Sequence, residues 1–164
     1  MAARDRAGDF LSERADPIRV LQIMEATIGG TKRHLFDLVT GLDQAEFSVD
    51  IACPPVRSEA HGDVSFVEDL RAAGASVRLV PMVRAIHPAA DARTTAALVR
   101  LIWSGGYDLV HTHSTKAGLT GRLAAAFRLT VPLVHTPHGF YYLNFESRAP
   151  RSLFRLIERA LGAR

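Results

Sequence analysis

The stretch Val131–Phe140 (VPLVHTPHGF) indicates both the class of the fold and the edge at which a ligand would bind. Its apolar run ends in Pro137, His138 and Gly139. Short apolar runs of this kind are typical of buried strands in parallel sheets. Because ligands of open α/β sheets bind outside the carboxyl ends of the strands, we expect His138 to lie at such an edge. The adjacent glycine allows a ligand to approach the backbone closely.

Upstream of this stretch, similar apolar runs alternate with segments of helical periodicity. One such segment has apolar residues spaced so that they share one helix face, namely Leu35, Leu38, Val39 and Leu42. Strands that alternate with helices indicate βαβ units, and therefore a doubly wound, Rossmann-like parallel sheet of the α/β class. The predicted strands are Ile18–Met24, Phe47–Cys53, Ala75–Val80, Tyr107–His111 and Val131–Thr136.

Right-handed crossovers favour the strand order 3-2-1-4-5 for this sheet. In that order the loops after the first, fourth and fifth strands line one crevice. We expect Gly29, Gly30, His113 and His138 to face it.

Several residues are candidates for the ends of the helices. Gly74 is a predicted C-terminal cap, and Asp91 and Ser114 are predicted N-terminal caps. The last helix is predicted to begin near Pro150 and to run to the end of the chain.

Length and composition limit the class of protein. The chain of 164 residues, 48% hydrophobic and 23% charged, suits one ordinary globular domain. We expect a disordered lead-in over residues 1–16 and the domain over residues 17–164. The net charge of +3 is too small to indicate a nucleic-acid partner. A single cysteine, Cys53, fits a reducing compartment, and the sequence shows no long apolar span or signal-peptide core, so we expect a cytoplasmic location.

Gly29 and Gly30 follow the first predicted strand and open a helix. A glycine pair there permits a tight turn and leaves helix N–H groups free to meet an anion such as a phosphate. The segment lacks the G-x-G-x-x-G pattern and an acidic partner at the tip of the second strand, which disfavours a nicotinamide cofactor. The alternative is a glycine pair that only relieves a turn. The cations Lys32, Arg33 and His34 are either ligand contacts or solvated surface charges.

Four histidines, His111, His113, His135 and His138, form an H-x-H and H-x-x-H set that invites comparison with zinc sites. No carboxylate or cysteine accompanies them, and alternate residues of a strand point to opposite faces. We therefore predict no metal, and expect His111 and His135 to be half-buried histidines with hydrogen-bonded ring nitrogens. His138 is the candidate catalytic residue, since an imidazole at a strand tip can exchange a proton or bond a sugar hydroxyl near neutral pH. The alternative is a loop histidine without a role.

The motifs together resemble the N-terminal domain of family 4 glycosyltransferases, which are retaining enzymes of the two-domain GT-B fold. The resemblance covers nearly the whole chain from Ile18. It is carried by Gly29–Leu35, Asp108–His113, Lys116–Gly118 with Gly121 and Arg122, and Thr136–Phe140. The His-Gly-Phe variant looks most like members that build exopolysaccharide repeat units.

The resemblance implies sugar transfer from a nucleoside-diphosphate sugar to a glycan or lipid-linked acceptor, with retention at the anomeric carbon and no metal or other cofactor. It implies that His138 contacts the donor sugar at the reaction centre. The residues that it assigns to substrate or donor binding are Gly29, Gly30, Thr31, His113, Lys116, Gly139 and Phe140.

Members of this family hold the nucleotide-sugar chiefly through a C-terminal domain with a Glu-x7-Glu element. Here Glu158 has no second glutamate at that spacing, and the sequence stops within the helix after the fifth strand. We therefore expect a truncated, acceptor-side half that is inactive without a second domain or a partner chain. The alternatives are a non-catalytic binding module or remnant of the same fold, and a nucleotide-binding oxidoreductase domain.

The last predicted helix carries a spaced set of arginines. Arg151, Arg155 and Arg159 share one face, and Leu153, Phe154, Leu156, Ile157 and Leu161 lie largely on the other. A basic amphipathic helix of this type can lie on anionic lipid, which suits a peripheral contact with the membrane. The alternative is a helix that packs its leucines on the sheet and leaves its arginines in solvent.

Overall fold

The structure, a computed structural model, describes residues 16–55, 65–139, 143 and 146–162. The predicted lead-in therefore lies almost wholly outside the described residues, as does Phe140. The strands are β1 Ile18–Met24, β2 Phe47–Cys53, β3 Ser76–Leu79, β4 Leu109–His113 and β5 Leu133–Thr136. The helices are α1 Gly29–Gly41, α2 Phe66–Ala72, α3 Pro88–Gly105, α4 Ser114–Ala125 and α5 Arg148–Leu161.

The five strands form one parallel sheet in the order β3-β2-β1-β4-β5. This confirms the predicted doubly wound α/β fold and its strand order. The order reverses between β1 and β4, where Met24 lies beside His113 at the carboxyl ends. Neighbouring crossovers leave the sheet on opposite sides of this point, so a crevice opens there.

Two apolar clusters cover the two faces of the sheet. Leu35 of α1 and Phe66 of α2 are fully buried in one cluster, and Leu98 and Ile102 of α3 are fully buried in the other. Each such side chain contributes roughly 1.5–3 kcal/mol of transfer free energy on burial. The sheet is therefore held between helices on both faces, and the strand ends are fixed relative to one another.

Helix α4 approaches the sheet closely because two glycines face the strands. A Cβ on Gly121 would lie 2.6 Å from Thr112 Cγ2, and a Cβ on Gly118 would overlap His135 Cε1. Neither position leaves room for an ordinary carbon–carbon contact. These glycines of the family motif therefore have a packing role in this chain.

Some predicted boundaries are wrong. The third and fifth strands are shorter than predicted, and the fourth is Leu109–His113, so His113 belongs to the strand and not to the following loop. The physical reason is its pairing, because β4 stays hydrogen-bonded along β1 as far as Met24. Tyr107 precedes the strand and instead donates its hydroxyl to Asp50, over 2.7 Å.

The predicted N-terminal caps also differ. α3 begins at Pro88, and His87 is its cap, with its Nδ1 accepting from the Ala90 N–H over 3.2 Å. Asp91 is not the cap but reaches back to accept from the His87 N–H. Ser114 is the first residue of α4, so the cap position falls on His113, whose side chain makes no cap bond. The last helix begins at Arg148, two residues before Pro150.

Among the helices that the structure describes, none has the length and apolar character needed to cross a bilayer.

Candidate functional site

Three histidines from three separate elements meet at the carboxyl edge of the sheet. His34 comes from α1, His113 ends β4, and His138 follows β5. The ring centroids of His34 and His138 lie 4.9 Å apart, and those of His113 and His138 lie 5.3 Å apart in a stacked arrangement. The predicted convergence of the first, fourth and fifth strand ends is therefore found, with His34 as an added member.

His113 is the buried centre of this group. Its side chain is fully buried, with Nε2 lying 2.7 Å from Gln22 Oε1 and Nδ1 lying 3.0 Å from His138 Nε2. Burial, assisted by the neighbouring histidines, lowers the pKa of His113 from 6.5 to about 2. Its ring is therefore neutral at physiological pH and takes part in two hydrogen bonds.

His138 is exposed, as is His34, and the backbone of His138 is strained. Its φ is +54°, a left-handed conformation that is uncommon for residues other than glycine. Gly139 follows with a φ of +132°, which requires glycine. Strained residues of this kind cluster at functional sites because the surrounding structure must hold them there. Partial burial and the nearby His34 lower the pKa of His138, so its ring is neutral at pH 7.

The two glycines at the start of α1 differ in their backbone conformation. Gly29 has a φ of +67°, which favours glycine, and therefore makes the turn. Gly30 has no such constraint, and a Cβ there would meet nothing within 4 Å. The fold does not explain why residue 30 lacks a side chain, whereas close approach of a ligand would.

The N-terminus of α1 is open to an anion. The cap residue Ile28 makes no side-chain cap bond, and the first turn, which includes Thr31, holds no acidic residue. The unpaired N–H groups of such a turn attract negative charge. Lys32 and Arg33 are partly engaged elsewhere, Lys32 with Asp69 at 3.9 Å and Arg33 with Asp37 at 2.7 Å. In the structure, Lys32 and Arg33 therefore form surface ion pairs.

Lys116, assigned to ligand binding by resemblance, already has protein partners. Its buried ammonium group pairs with Asp91 of α3 and donates to the Ala85 carbonyl over 2.7 Å. These contacts tie α4 to the start of α3 and to the loop before it. A role for Lys116 in ligand binding stays a prediction, and the geometry gives it a structural role as well.

His111 and His135 are half-buried, and each has a hydrogen-bonded ring nitrogen, as predicted. His111 Nε2 lies 2.9 Å from Thr136 Oγ1, and His135 Nδ1 lies 2.9 Å from Thr112 Oγ1. Burial lowers the pKa of His111 to about 4 and also lowers that of His135. Both rings are neutral at pH 7 and join β4 to β5.

The set of residues that could hold a metal differs from the one that the sequence suggested. His34, His113 and His138 each offer a ring nitrogen, and these atoms lie within 4.8 Å of one another. His111 and His135 do not belong to this group. The expectation that the site works without a metal stays a prediction.

Gln22 was not among the site residues that the sequence predicted, and His34 was predicted to be either a ligand contact or a solvated surface charge. Gln22 is the one polar residue in the buried part of β1, residues 20–24, and a polar residue inside a buried strand is a signal that was available. His34 lies one turn inside α1, so only the three-dimensional crossover brings it to the strand ends.

Sequence comparison relates the chain to known transferases. The profile of the Glycosyl transferase 4-like domain family matches residues 29–164. An Escherichia coli protein, UDP-Gal:alpha-D-GlcNAc-diphosphoundecaprenol alpha-1,3-galactosyltransferase, is 29% identical to this chain over 134 residues. That alignment covers 80% of this chain and 32% of the relative, so the chain spans about a third of the relative's length.

Solved structures share the fold. A glycosyltransferase from Rickettsia africae matches with a TM-score of 0.60 at 19% identity, over 77% of this chain and 31% of that one. A UDP-GlcNAc 2-epimerase from Neisseria meningitidis matches with a TM-score of 0.53 at 16% identity, over 88% of this chain and 38% of that one. At these identities the likeness establishes the Rossmann-like fold but not the reaction. The family match extends over most of the sequence and confirms the resemblance seen in the motifs: the chain belongs to the Glycosyl transferase 4-like domain family.

Proposed function

We propose that this chain is the acceptor-side domain of a retaining glycosyltransferase that takes sugar from a nucleoside-diphosphate donor. The observation that supports this most is the pairing of His138 with the buried His113 beside the open N-terminus of α1. A neutral imidazole suits a sugar hydroxyl, and an uncapped helix N-terminus suits a diphosphate.

In this proposal each part of the site has one task. Gly29 makes the turn, and Gly30 and Thr31 let the diphosphate approach the first turn of α1. His138 and Gly139 contact the donor sugar, with His138 exchanging a hydrogen bond with a hydroxyl as charge develops at the anomeric carbon. Phe140, assigned to the same group by resemblance, lies outside the described residues. The proposed reaction uses no metal or other cofactor.

The printed name of the Escherichia coli relative supports a choice of substrates. That protein uses UDP-Gal and an acceptor linked to diphosphoundecaprenol. For this chain we propose a nucleoside-diphosphate sugar as donor and a lipid-linked or glycan acceptor, in the assembly of an exopolysaccharide. The N-terminal domain contributes to acceptor binding.

We further propose that a second domain, or a separate chain, holds the nucleotide. The chain spans 32% of the relative's length, which leaves room in that protein for such a domain. A cleft between two domains would bring donor and acceptor into register, an effect that can account for about 7–11 kcal/mol of barrier lowering.

A cytoplasmic location with peripheral contact at the inner face of the membrane fits this acceptor. Helix α5 leaves Leu153 and Leu156 exposed, at 57% and 64%, beside the exposed Arg151, Arg155 and Arg159. Leu161 is half-buried, and the alternative, a helix that packs its leucines on the sheet, stays a prediction. The buried Arg122 pairs with the half-buried Glu158 at 2.8 Å and so joins α5 to α4.

Calorimetric titration tests the donor assignment. The protein that carries this domain together with its nucleotide-binding part should bind a UDP-sugar and should not bind NAD. Binding followed by sugar transfer to a polyprenyl-diphosphate acceptor supports the transferase. Binding without transfer would favour the alternative, a non-catalytic module of the same fold, and preferential binding of NAD would contradict both.

A further inference from the structure

We propose that Gln22 is a positioning residue that sets, through His113, which ring nitrogen of His138 carries the proton. In this arrangement His138 holds its proton on Nε2 and presents a bare Nδ1 to the ligand. The assignment of a ligand to His138 rests on the proposed function, whereas the control of its proton does not.

Gln22 lies in the middle of the central strand, and its side chain is 2% exposed. In the register of the sheet, its backbone lies beside His111 of β4 on one side and beside Ile51 of β2 on the other. A buried amide without hydrogen bonds costs about 1–3 kcal/mol, so a polar side chain persists there only where it has partners. The partner that Gln22 has is His113, at 2.7 Å.

The position of each proton follows from this contact. Gln22 Oε1 is an amide oxygen and only accepts, so the Nε2–H of His113 must donate to it. Because His113 is neutral, its Nδ1 carries no proton and acts as an acceptor. His138 Nε2 lies 3.0 Å from that atom and must therefore carry a proton and donate it. A neutral His138 then has no proton on Nδ1.

Partial burial and, after it, His34 on α1 disfavour the charged form of His138. The other histidines at this edge are His113 and His111 on β4 and His135 on β5, and burial keeps all three neutral. Among the residues that the structure describes, none hydrogen-bonds to His138 Nδ1. This nitrogen is therefore available to accept.

An accepting Nδ1 selects the chemical class of its ligand group. It pairs with a donor, such as the hydroxyl of a sugar, and not with a phosphate or carbonyl oxygen, which would need a donor from the protein. The opposite tautomer of His138 would reverse this preference. Gln22 therefore helps to decide that a hydroxyl, and not the diphosphate, meets His138.

The amide is better suited to this task than a carboxylate. A glutamate at residue 22 would place a negative charge against His113 and favour its protonation, as a nearby anion raises the pKa of a histidine. A protonated His113 has no bare nitrogen and could not accept from His138. The Gln22→Glu variant should therefore reverse the tautomer of His138, while Gln22→Leu should leave it unspecified.

The test is the nitrogen NMR spectrum of the chain labelled with ¹⁵N in histidine, recorded at pH 7.5. In the wild-type protein, His138 and His113 should each show a protonated Nε2 and a bare Nδ1. Gln22→Leu should give a mixture of His138 tautomers or the Nδ1–H form. Gln44→Leu is the matched control, because Gln44, the other glutamine of the chain, is exposed and distant in the fold, and its variant should keep the wild-type pattern.

Two results would overturn the proposal: a proton on Nδ1 of His138 in the wild-type protein, or an unchanged tautomer in folded Gln22→Leu. If Gln22→Leu fails to fold, the wild-type spectrum and Gln22→Glu still decide the matter. In the complete enzyme, Gln22→Leu should lower kcat roughly 10²-fold with little change in the KM of the donor. A wild-type tautomer as proposed, together with full transfer by a His138 variant, would retain the role of Gln22 in placing the proton and refute the role of His138 in the proposed reaction.

Discussion

His113 Nδ1 and His138 Nε2 lie 3.0 Å apart and join the carboxyl ends of β4 and β5 through one hydrogen bond. The buried partner is held from the opposite side by Gln22, at 2.7 Å. One ring nitrogen of the exposed His138 is therefore held by a buried partner, and its other ring nitrogen is left for a ligand.

Replacing His138 should lower the activity of the enzyme and leave its stability unchanged. In the complete enzyme, His138→Asn should lower kcat by roughly 10²–10⁴-fold, the usual contribution of a group that exchanges a proton or a hydrogen bond at the reacting centre. Asparagine is chosen because it tolerates the left-handed backbone that residue 138 adopts, so the fold should persist. Steady-state kinetics and urea denaturation measure the two effects.

The matched control for this variant is His87→Asn. His87 is exposed and caps α3, a position at which asparagine is also favourable. Its variant should be fully active. Equal activity of wild-type and His138→Asn enzymes would make His138 a structural histidine.

Filling the space above the first turn of α1 should harm the reaction and not the fold. Gly30→Val should lower transfer by the complete enzyme, because the added side chain would obstruct a ligand at the helix N-terminus. The free energy of unfolding should change little, since a Cβ at residue 30 meets nothing within 4 Å. Gly41→Val, at the other end of the same helix and equally unobstructed, is the control. Activity that survives Gly30→Val would reduce the glycine pair to a turn.

The close packing of α4 on the sheet predicts a stability effect of a particular sign. Gly121→Ala should destabilise the chain by about 1–3 kcal/mol, the usual cost of adding atoms to a packed core, because the new methyl would meet Thr112. Gly30→Ala should be neutral or stabilising, since alanine is the better helix former. Urea denaturation of both variants measures the difference. A Gly121→Ala protein as stable as wild type would show that α4 packs less tightly than described.

The neutral buried histidines should make the protein sensitive to acid. The pKa of His113 is lowered to about 2 in the folded state, against 6.5 when unfolded, so the unfolded chain binds more protons between these values. Stability should therefore be complete above pH 6.5 and fall below it, with a contribution from His113 of up to about 1.4 kcal/mol per pH unit. Urea denaturation between pH 7.5 and 5 should show that the free energy of unfolding falls less steeply with decreasing pH in His113→Gln than in the wild type. An identical slope would mean that His113 is accessible to protons in the fold.

Helix α5 should bind anionic vesicles if it contacts the membrane. Sedimentation with phosphatidylglycerol vesicles should retain the protein at low salt, because each nearby arginine contributes about 1 kcal/mol, and high salt should release it. Changing Arg151, Arg155 and Arg159 to glutamine should abolish binding. The same change at Arg71, Arg93 and Arg100, which are exposed on α2 and α3, removes equal charge and should not. Binding insensitive to salt and to both sets would indicate adhesion through exposed leucines.

The regular parts of the fold were predictable because they depend on local pattern. Short segments rich in apolar residues identified β1 and β2 with their observed limits, and alternation with helices predicted the strand order. The ends of strands and helices that depend on contacts with other residues were not predictable. His113 belongs to β4 because Met24 extends the pairing, and α3 begins at Pro88 because His87 and Asp91 bond each other there.

The site was predictable only in part, for a similar reason. His138 was visible because glycine and proline punctuate the end of its strand. Gln22 and His34 act through contacts across strands and across a crossover, and a pattern along the chain does not reveal such pairs. His111 lies on the same face of β4 as His113, with ring centroids 4.1 Å apart, but it hydrogen-bonds Thr136, and His135 hydrogen-bonds Thr112.

We propose that this chain forms the acceptor side of a retaining sugar transferase, and the NMR spectrum of the reaction product tests this. From UDP-galactose and a polyprenyl-diphosphate-linked acceptor sugar, the complete enzyme should make a new glycosidic bond with the α configuration of the donor. The 164-residue chain alone should show no multiple turnover. A product of β configuration, or sustained transfer by the isolated chain, would contradict the proposal.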